Sequence, residues 1–159
     1  MEPYELILTR ITPEVSFGYS TIHVYRPDEL ESGQLGYSVN PEGESLVGDQ
    51  DGGWRSTWLV IGYDEICGDP LFIDISVEGY PVYTAMHGAG RWDPDPVAIS
   101  LTGFAHAISA LAAIAKGREY PVALEQNPLT PSERNLTLAA IRQANPGMVL
   151  GFWETLLSE

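Results

Sequence analysis

His87 is the residue in this chain whose type best suits a general base or a metal ligand. It ends a predicted hairpin, and two aspartates, Asp93 and Asp95, follow in the next loop. An imidazole beside carboxylates can exchange a proton near neutral pH or bind a cation. However, the spacing of these three residues matches no known catalytic or metal-binding motif. We therefore favour a structural or turn-capping role for His87 over a functional one.

A second group of acidic residues lies near the middle of the chain: Asp64, Glu65, Asp69 and Asp74. Paired carboxylates can hydrolyse glycosides, but only at a defined separation that a sequence does not specify. Asp69 precedes Pro70, an order typical of a turn at the start of a strand. The chain has no Gly-x-Ser-x-Gly elbow, phosphate-binding loop or His-Glu-x-x-His motif. We predict that the protein is not an enzyme and uses no cofactor.

A calcium site and a cysteine-based zinc site are both disfavoured by the sequence. Residues 49–52 read Asp-Gln-Asp-Gly, like the opening of a calcium loop, but Val60 stands at the twelfth position, where such loops carry a carboxylate. A solvated turn is therefore the favoured interpretation. Cys67 is the only cysteine, which excludes an intrachain disulfide and a multi-cysteine zinc site. We predict no metal site.

The strongest compositional signal is negative charge. The 159 residues include 22 acidic and 8 basic side chains, a formal net charge of −14 at pH 7. Such a chain repels nucleic acid and anionic membranes and attracts basic partners, although solubility alone also explains acidity. The sequence shows neither a secretory signal nor an apolar run near the roughly 20 residues of a membrane helix. We expect a cytoplasmic protein that binds neither nucleic acid nor membrane.

Residues 58–87 predict three consecutive strands at the centre of one domain spanning residues 1–159. Residues 58–63 form an almost unbroken run of apolar side chains, as in a strand covered on both faces. Residues 71–77 alternate between apolar and other side chains, the period of a strand with two different faces. Turn residues 78–81 then predict an antiparallel hairpin with residues 82–86.

The elements around this stretch predict an α+β fold with a central, mainly antiparallel sheet covered by helices, including C-terminal helices. Ser100 and Gly117 delimit one helix, whose apolar stripe should cover the sheet and whose opposite side should accept the next helix. A capping box at Thr130 begins that next helix. The other predicted strands span residues 6–11, 20–25 and 35–39, and the predicted helices span residues 28–32, 101–116, 131–144 and 149–157.

Several short segments occur in a characteristic order: Glu29-Leu30 with Gln34-Leu35-Gly36-Tyr37, then Trp58 to Gly62, Gly68 to Asp74, Pro81-Val82-Tyr83 with His87-Gly88, and Ile99-Ser100 with Phe104 and Leu111. In this order they resemble the SUKH superfamily, the family of bacterial immunity proteins and of the yeast cell-wall assembly regulator. The match covers residues 22–111, and residues 130–158 form an additional helical extension.

The resemblance implies an α+β fold that binds protein rather than performing catalysis. It predicts an immunity protein that neutralises a cognate bacterial toxin, such as a nuclease. Because such toxins tend to be basic, an inhibitor with a charge of −14 would be steered toward them. The alternatives are a non-catalytic regulatory scaffold of the same fold with an unknown partner and, third, a metal-dependent enzyme that uses His87.

We expect the partner to contact exposed acids in the loops around the central stretch, with two tryptophans as anchors. The predicted partner-binding residues are Asp49, Asp51, Trp54, Asp64, Glu65, Trp92, Asp93 and Asp95. By contrast, Gly62, Gly68 and Asp69 are expected to be structural.

Overall fold

Six strands form one antiparallel sheet in which each strand pairs with the next along the chain. The computed structural model describes residues 1–158. The strands are β1 (Glu14–Phe17), β2 (Ser20–Val24), β3 (Trp58–Asp64), β4 (Pro70–Asp74), β5 (Val82–Thr84) and β6 (Asp95–Ala98). The predicted α+β class and antiparallel sheet are confirmed.

Most helices follow the sheet in sequence, as predicted. Ser100 caps the longest one, because its hydroxyl oxygen accepts the Gly103 N–H at 2.9 Å. The capping box predicted at Thr130 is also present, with Glu133 as its second member. The helices are α1 (Pro3–Leu8), α2 (Leu30–Gly33, after a 3-10 turn at Pro27–Glu29), α3 (Leu101–Ala115), α4 (Pro121–Gln126), α5 (Pro131–Ala144) and α6 (Gly151–Leu156).

The face of the sheet toward the helices is the larger core. The α3 stripe that includes Phe104, Ile108 and Leu111 is buried in one cluster with Leu71 and Ile73 of β4, so α3 covers the sheet as predicted. Helix α5 packs on α3. The side chains at the outer positions of α3, among them His106, remain exposed.

A buried amide joins α3, α5 and the last strand. Asn145 is fully buried just after α5, and its Oδ1 accepts the Ile99 N–H at 3.0 Å. Its Nδ2 donates to the Ile141 carbonyl at 2.9 Å. Gly103 allows this contact, since a Cβ there would collide with the Asn145 side chain. The Asn145 side chain therefore connects the end of α5 to the backbone between β6 and α3.

The opposite face of the sheet carries an aromatic core supplied largely by loops. Trp54, Val60, Phe72 and Ala85 are buried there, and the half-buried rings of Tyr37, Trp58, Tyr83 and Trp92 pack around them. Strands β3 and β4 are therefore covered on both faces, which explains the almost unbroken apolar run at residues 58–63.

Two predicted strands are wrong. Residues 6–11 are not a strand, because α1 begins at a capping box in which the Glu2 N–H donates to Glu5, and the helix continues through Leu8. Residues 35–39 form a turn, since Gly36 has φ +89° and its N–H donates to the Val39 carbonyl at 2.7 Å. Local capping and turn chemistry outweighs apolar alternation in both segments.

Other boundaries also differ from the prediction. Strand β4 ends at Asp74, whose side chain accepts the Ser76 N–H at 3.0 Å and turns the chain. Strand β5 ends at Thr84, two residues before the predicted end. Strand β6 was not predicted, since its first residues were expected to lie in a loop. It includes Pro96, and proline is tolerated in edge strands and at irregularities such as the register shift between β5 and β6. Strand β1 and helix α4 were not predicted, since four and six residues are too few for a periodic signal.

The Gln34 side chain takes the place of a strand beside β3. The β2–β3 ladder ends at the Val24–Gly62 pair, and only the Tyr25 N–H reaches further, to the Ile61 carbonyl. At Val60, the Gln34 Oε1 accepts the backbone N–H at 2.9 Å and its Nε2 donates to the carbonyl at 2.8 Å. The buried Gln34 amide thus satisfies both polar groups of a residue that lies between two cores.

Gly62 is required by the close approach of β2 to β3. The β3–β4 register shifts between Val60 and Gly62, and a Cβ at Gly62 would collide with the backbone carbonyl oxygen of His23. Gly68 differs, because its φ of +72° suits glycine but nothing lies within 4 Å of a Cβ placed there. Glycine is therefore required at position 62 for steric reasons and is favoured at position 68 for its backbone conformation.

We expect Gly62→Ala to lower the free energy of unfolding by about 3 kcal/mol, because the clashing atom belongs to a backbone that cannot swing away. Gly68→Ala, the matched control, should lower it by only about 1–2 kcal/mol, the conformational penalty of a left-handed backbone. Urea denaturation at neutral pH measures both values. Equal losses in the two variants would contradict the steric role of Gly62.

Candidate functional site

The predicted partner-binding residues separate into two regions. One region is the pair of loops that cover the aromatic core, and it contains Asp49, Asp51, Trp54, Trp92 and Asp93. The other lies at the end of the sheet where the β3–β4 turn approaches the start of β6, and it contains Asp64, Glu65 and Asp95. In the first region Asp51 and Asp93 are paired with an arginine, whereas Asp64 and Asp95 of the second region are in no ion pair within residues 1–158.

Arg91 pairs with two of the three aspartates in the first region. Its Nε lies 2.9 Å from the Asp93 carboxylate and its terminal nitrogen lies 3.2 Å from Asp51. The Trp92 N–H donates to the Gly52 carbonyl at 2.8 Å, so the two loops are also joined through the backbone. These two aspartates hold the loops together, and less of their charge remains to attract a partner.

The two tryptophans predicted as anchors do not have equal access to solvent. Trp54 is 2% exposed and touches Phe72, Trp58 and Trp92. It therefore supports the loops, and the expectation that it contacts a partner as an exposed anchor needs correction. Trp92 is half-buried and so retains some accessible ring surface, whereas Asp49 is exposed.

The second region borders an open groove of about 580 Å³. Asp64 and Asp95 line it, and Glu65 is next in sequence to the first of them. Apolar side chains from both sides of the groove are exposed, with Ile66 at 55% and Val149 at 76%. The remaining lining residues include Cys67, Thr84, Pro96, Phe152, Thr155 and Leu156. Sequence reasoning missed the apolar part, because the residues preceding and within α6 are far away along the chain.

Asp64 is ionised at an energetic cost. Burial raises its pKa above the ordinary value of 3.8, and the carboxylates of Asp69 and Glu65 raise it further. A hydrogen bond from the Ile66 N–H to its Oδ1, at 3.0 Å, acts in the opposite direction. The half-buried carboxylate therefore lies among like charges, and a cation placed beside it would relieve their repulsion.

His23 lies between two carboxylates. Its Nδ1 is 3.6 Å from Glu14 and its Nε2 is 3.6 Å from Glu65, while its ring stacks on Tyr63 at 4.6 Å. The sequence did not indicate these partners, since antiparallel pairing alone brings Glu14 and Tyr63 opposite His23. When protonated, this imidazole would compensate part of the charge of Glu65.

His87, the residue best suited by type to chemistry, has no catalytic arrangement around it. It is exposed, and its backbone N–H rather than its imidazole donates to Asp69, at 2.8 Å. Its ring faces Trp92, with the ring centroids 6.4 Å apart. Within residues 1–158, we find no group of three His, Cys, Asp or Glu side chains positioned to hold a metal ion. Asp69 instead joins the β3–β4 turn to the loop after β5.

Comparison with known proteins assigns no family. No family model, no curated protein and no solved structure matches the chain. The resemblance to the SUKH superfamily therefore stays a prediction that rests on the order of its short segments. As for membranes, the helices of the described part of the chain are all too short or too polar to cross one.

Asp64→Asn should stabilise the protein at neutral pH, because asparagine keeps an oxygen that can accept the Ile66 N–H but carries no charge. Because folding raises the pKa of Asp64, the folded protein favours the protonated carboxyl. The stability that this form provides is fully present below about pH 4 and is lost as the pH rises through the folded pKa. The gain of the variant should therefore be largest at pH 7 and disappear in acid.

Urea denaturation of both proteins between acidic and neutral pH provides the measurement. Asp64→Ala, which lacks the acceptor oxygen, separates the effect of charge from that of the hydrogen bond. A variant with asparagine that is less stable than the parent at pH 7, or a gain that does not change with pH, would show that the charge of Asp64 is not unfavourable.

Proposed function

We propose that this protein is a binding module for a basic protein partner, and specifically an immunity protein that neutralises a cognate bacterial toxin. The specific form rests on the resemblance to the SUKH superfamily. The general form is supported by one observation above all, the large excess of carboxylates that no cation of the chain neutralises.

Two of the eight lysine and arginine side chains form ion pairs within the described part of the fold. In residues 1–158, ion pairs with arginine involve Arg91, with Asp51 and Asp93, and Arg118, with Glu133. Arg118 is 6% exposed and also donates to the Ile114 and Asn127 carbonyls, so its charge is directed inward. With 22 acidic side chains in the sequence, most of the negative charge is left facing the solvent.

Such a field favours association with a basic protein. Long-range attraction raises the rate of encounter, and like-charge repulsion discourages acidic competitors. An inhibitor of a basic toxin gains from both effects, since it must reach its target before the toxin reaches the cell's own components. A regulatory scaffold with a basic partner would use the same field, so it remains the alternative function.

If the protein is an immunity protein, a toxin gene is expected beside its own gene, and co-expression with that toxin domain is the test. Growth should be restored, and a complex should co-purify whose association rate falls by about tenfold or more between low and high salt, since salt screens the steering field. A toxin variant that is inactive but folded is the control for toxicity. Growth arrest despite abundant folded protein would refute the immunity role, and a salt-independent association rate would refute the electrostatic argument.

A further inference from the structure

The groove beside α6 is apolar and negatively charged at once. Ile66 and Val149 expose apolar surface there. The charged lining residues are Asp64 and Asp95, and neither forms an ion pair with a cation of residues 1–158. Exposed apolar surface rimmed by polar groups is typical of an interaction site. Its volume of about 580 Å³ is ample for large side chains of another protein.

On the basis of the proposed function, we infer that the basic partner docks in this groove. The partner inserts apolar side chains between Ile66 and Val149 and places Lys or Arg beside Asp64 and Asp95. Charge decides the occupant. A second copy of this chain would bring a further charge of −14 to an acidic groove, so self-association is disfavoured. A partner that combines apolar and basic residues satisfies both properties of the surface.

The partner does not dock by adding a strand to β6. The Val97 carbonyl already accepts the indole N–H of Trp153 at 2.8 Å, and the Ile99 N–H already donates to Asn145 at 3.0 Å, so these groups of the outer edge are not free to pair with another strand. Trp153 is fully buried and attaches α6 to this edge of the sheet. Recognition in the groove must therefore proceed through side chains, which favours a specific sequence over any extended segment.

Asp64 lines the groove and adds an electrostatic argument to the geometric one. Its carboxylate is half-buried near Asp69 and Glu65, an arrangement that works against folding at neutral pH. Activity can depend on groups that are unfavourable for stability. A partner ammonium or guanidinium group beside Asp64 would offset the repulsion between the carboxylates and thereby favour binding.

Selection from a library of short random peptides displayed on phage tests the inference with a defined probe. Enriched peptides should combine large apolar residues with Lys or Arg. Ile66→Ser should weaken their binding by about tenfold, whereas Val122→Ser, an equally exposed apolar position at 54% against 55%, should leave it unchanged. Neutralising Asp64 and Asp95 to asparagine should weaken it similarly, unlike the same change of charge at Glu119 and Glu125, which do not line the groove.

Cys67 permits a second measurement on the folded protein, since it is the only cysteine and lines the groove. A bulky maleimide attached to its sulfur should reduce peptide binding by about tenfold. Cys67→Ser treated with the same reagent should bind as before treatment. Library selection without enrichment, enriched peptides that lack cations, or binding unaffected by the adduct and by Ile66→Ser would each overturn the groove assignment.

The toxin complex separates this inference from the proposed function. If the complex forms but tolerates both the Cys67 adduct and Ile66→Ser, the partner binds elsewhere and only the groove assignment is wrong. If basic apolar peptides bind in the groove but no toxin complex forms, the docking surface stands and the immunity role is wrong.

Discussion

Strand β3 is buried on both faces, and the arrangement of its surroundings follows from that burial. Water cannot reach the backbone polar groups at its centre, so each group needs a partner within the protein. Strand β4 supplies one edge, β2 supplies the other as far as Ile61, and the Gln34 amide completes the ladder at Val60. This single side chain explains why the short helix α2 must lie beside β3.

Because β3 is buried on both faces, the sheet is covered by two different layers. The helix side is a conventional core built from long periodic elements, in which Asn145 and Trp153 satisfy the outer edge of β6. The loop side depends on aromatic rings, and Trp54 lies at its centre. Asp51 and Asp93 of these loops are paired with Arg91, so these two acids serve the fold.

The opposite holds at the end of the sheet. Asp64 and Asp95 lie beside exposed apolar side chains, and none of the ion pairs within residues 1–158 includes them. Charge that is costly to the fold and apolar surface that is left uncovered coincide in one groove. This coincidence distinguishes the groove from acidity spread over a surface for solubility.

Much of the architecture was predictable from the sequence because it rests on local signals. The capping residues Ser100 and Thr130 define α3 and α5, and the apolar run at residues 58–63 identifies a strand covered twice. Prediction failed where capping overrode alternation, as in α1, and where an element was too short to show a period, as in β1 and α4. These failures concern the periphery of the sheet rather than its centre.

The candidate site was less predictable, since its properties arise from contacts between distant segments. The sequence by itself determined the negative charge, the central strands from β3 to β5 and the capped helices α3 and α5. Only the tertiary structure decided that Arg91 would pair with Asp51 and Asp93, that Trp54 would be buried, and that Asp64 and Asp95 would meet Val149 and Phe152 in a groove. The reason is physical: the free energy of a charge depends on which groups folding brings within a few ångströms of it, and sequence position does not specify those neighbours.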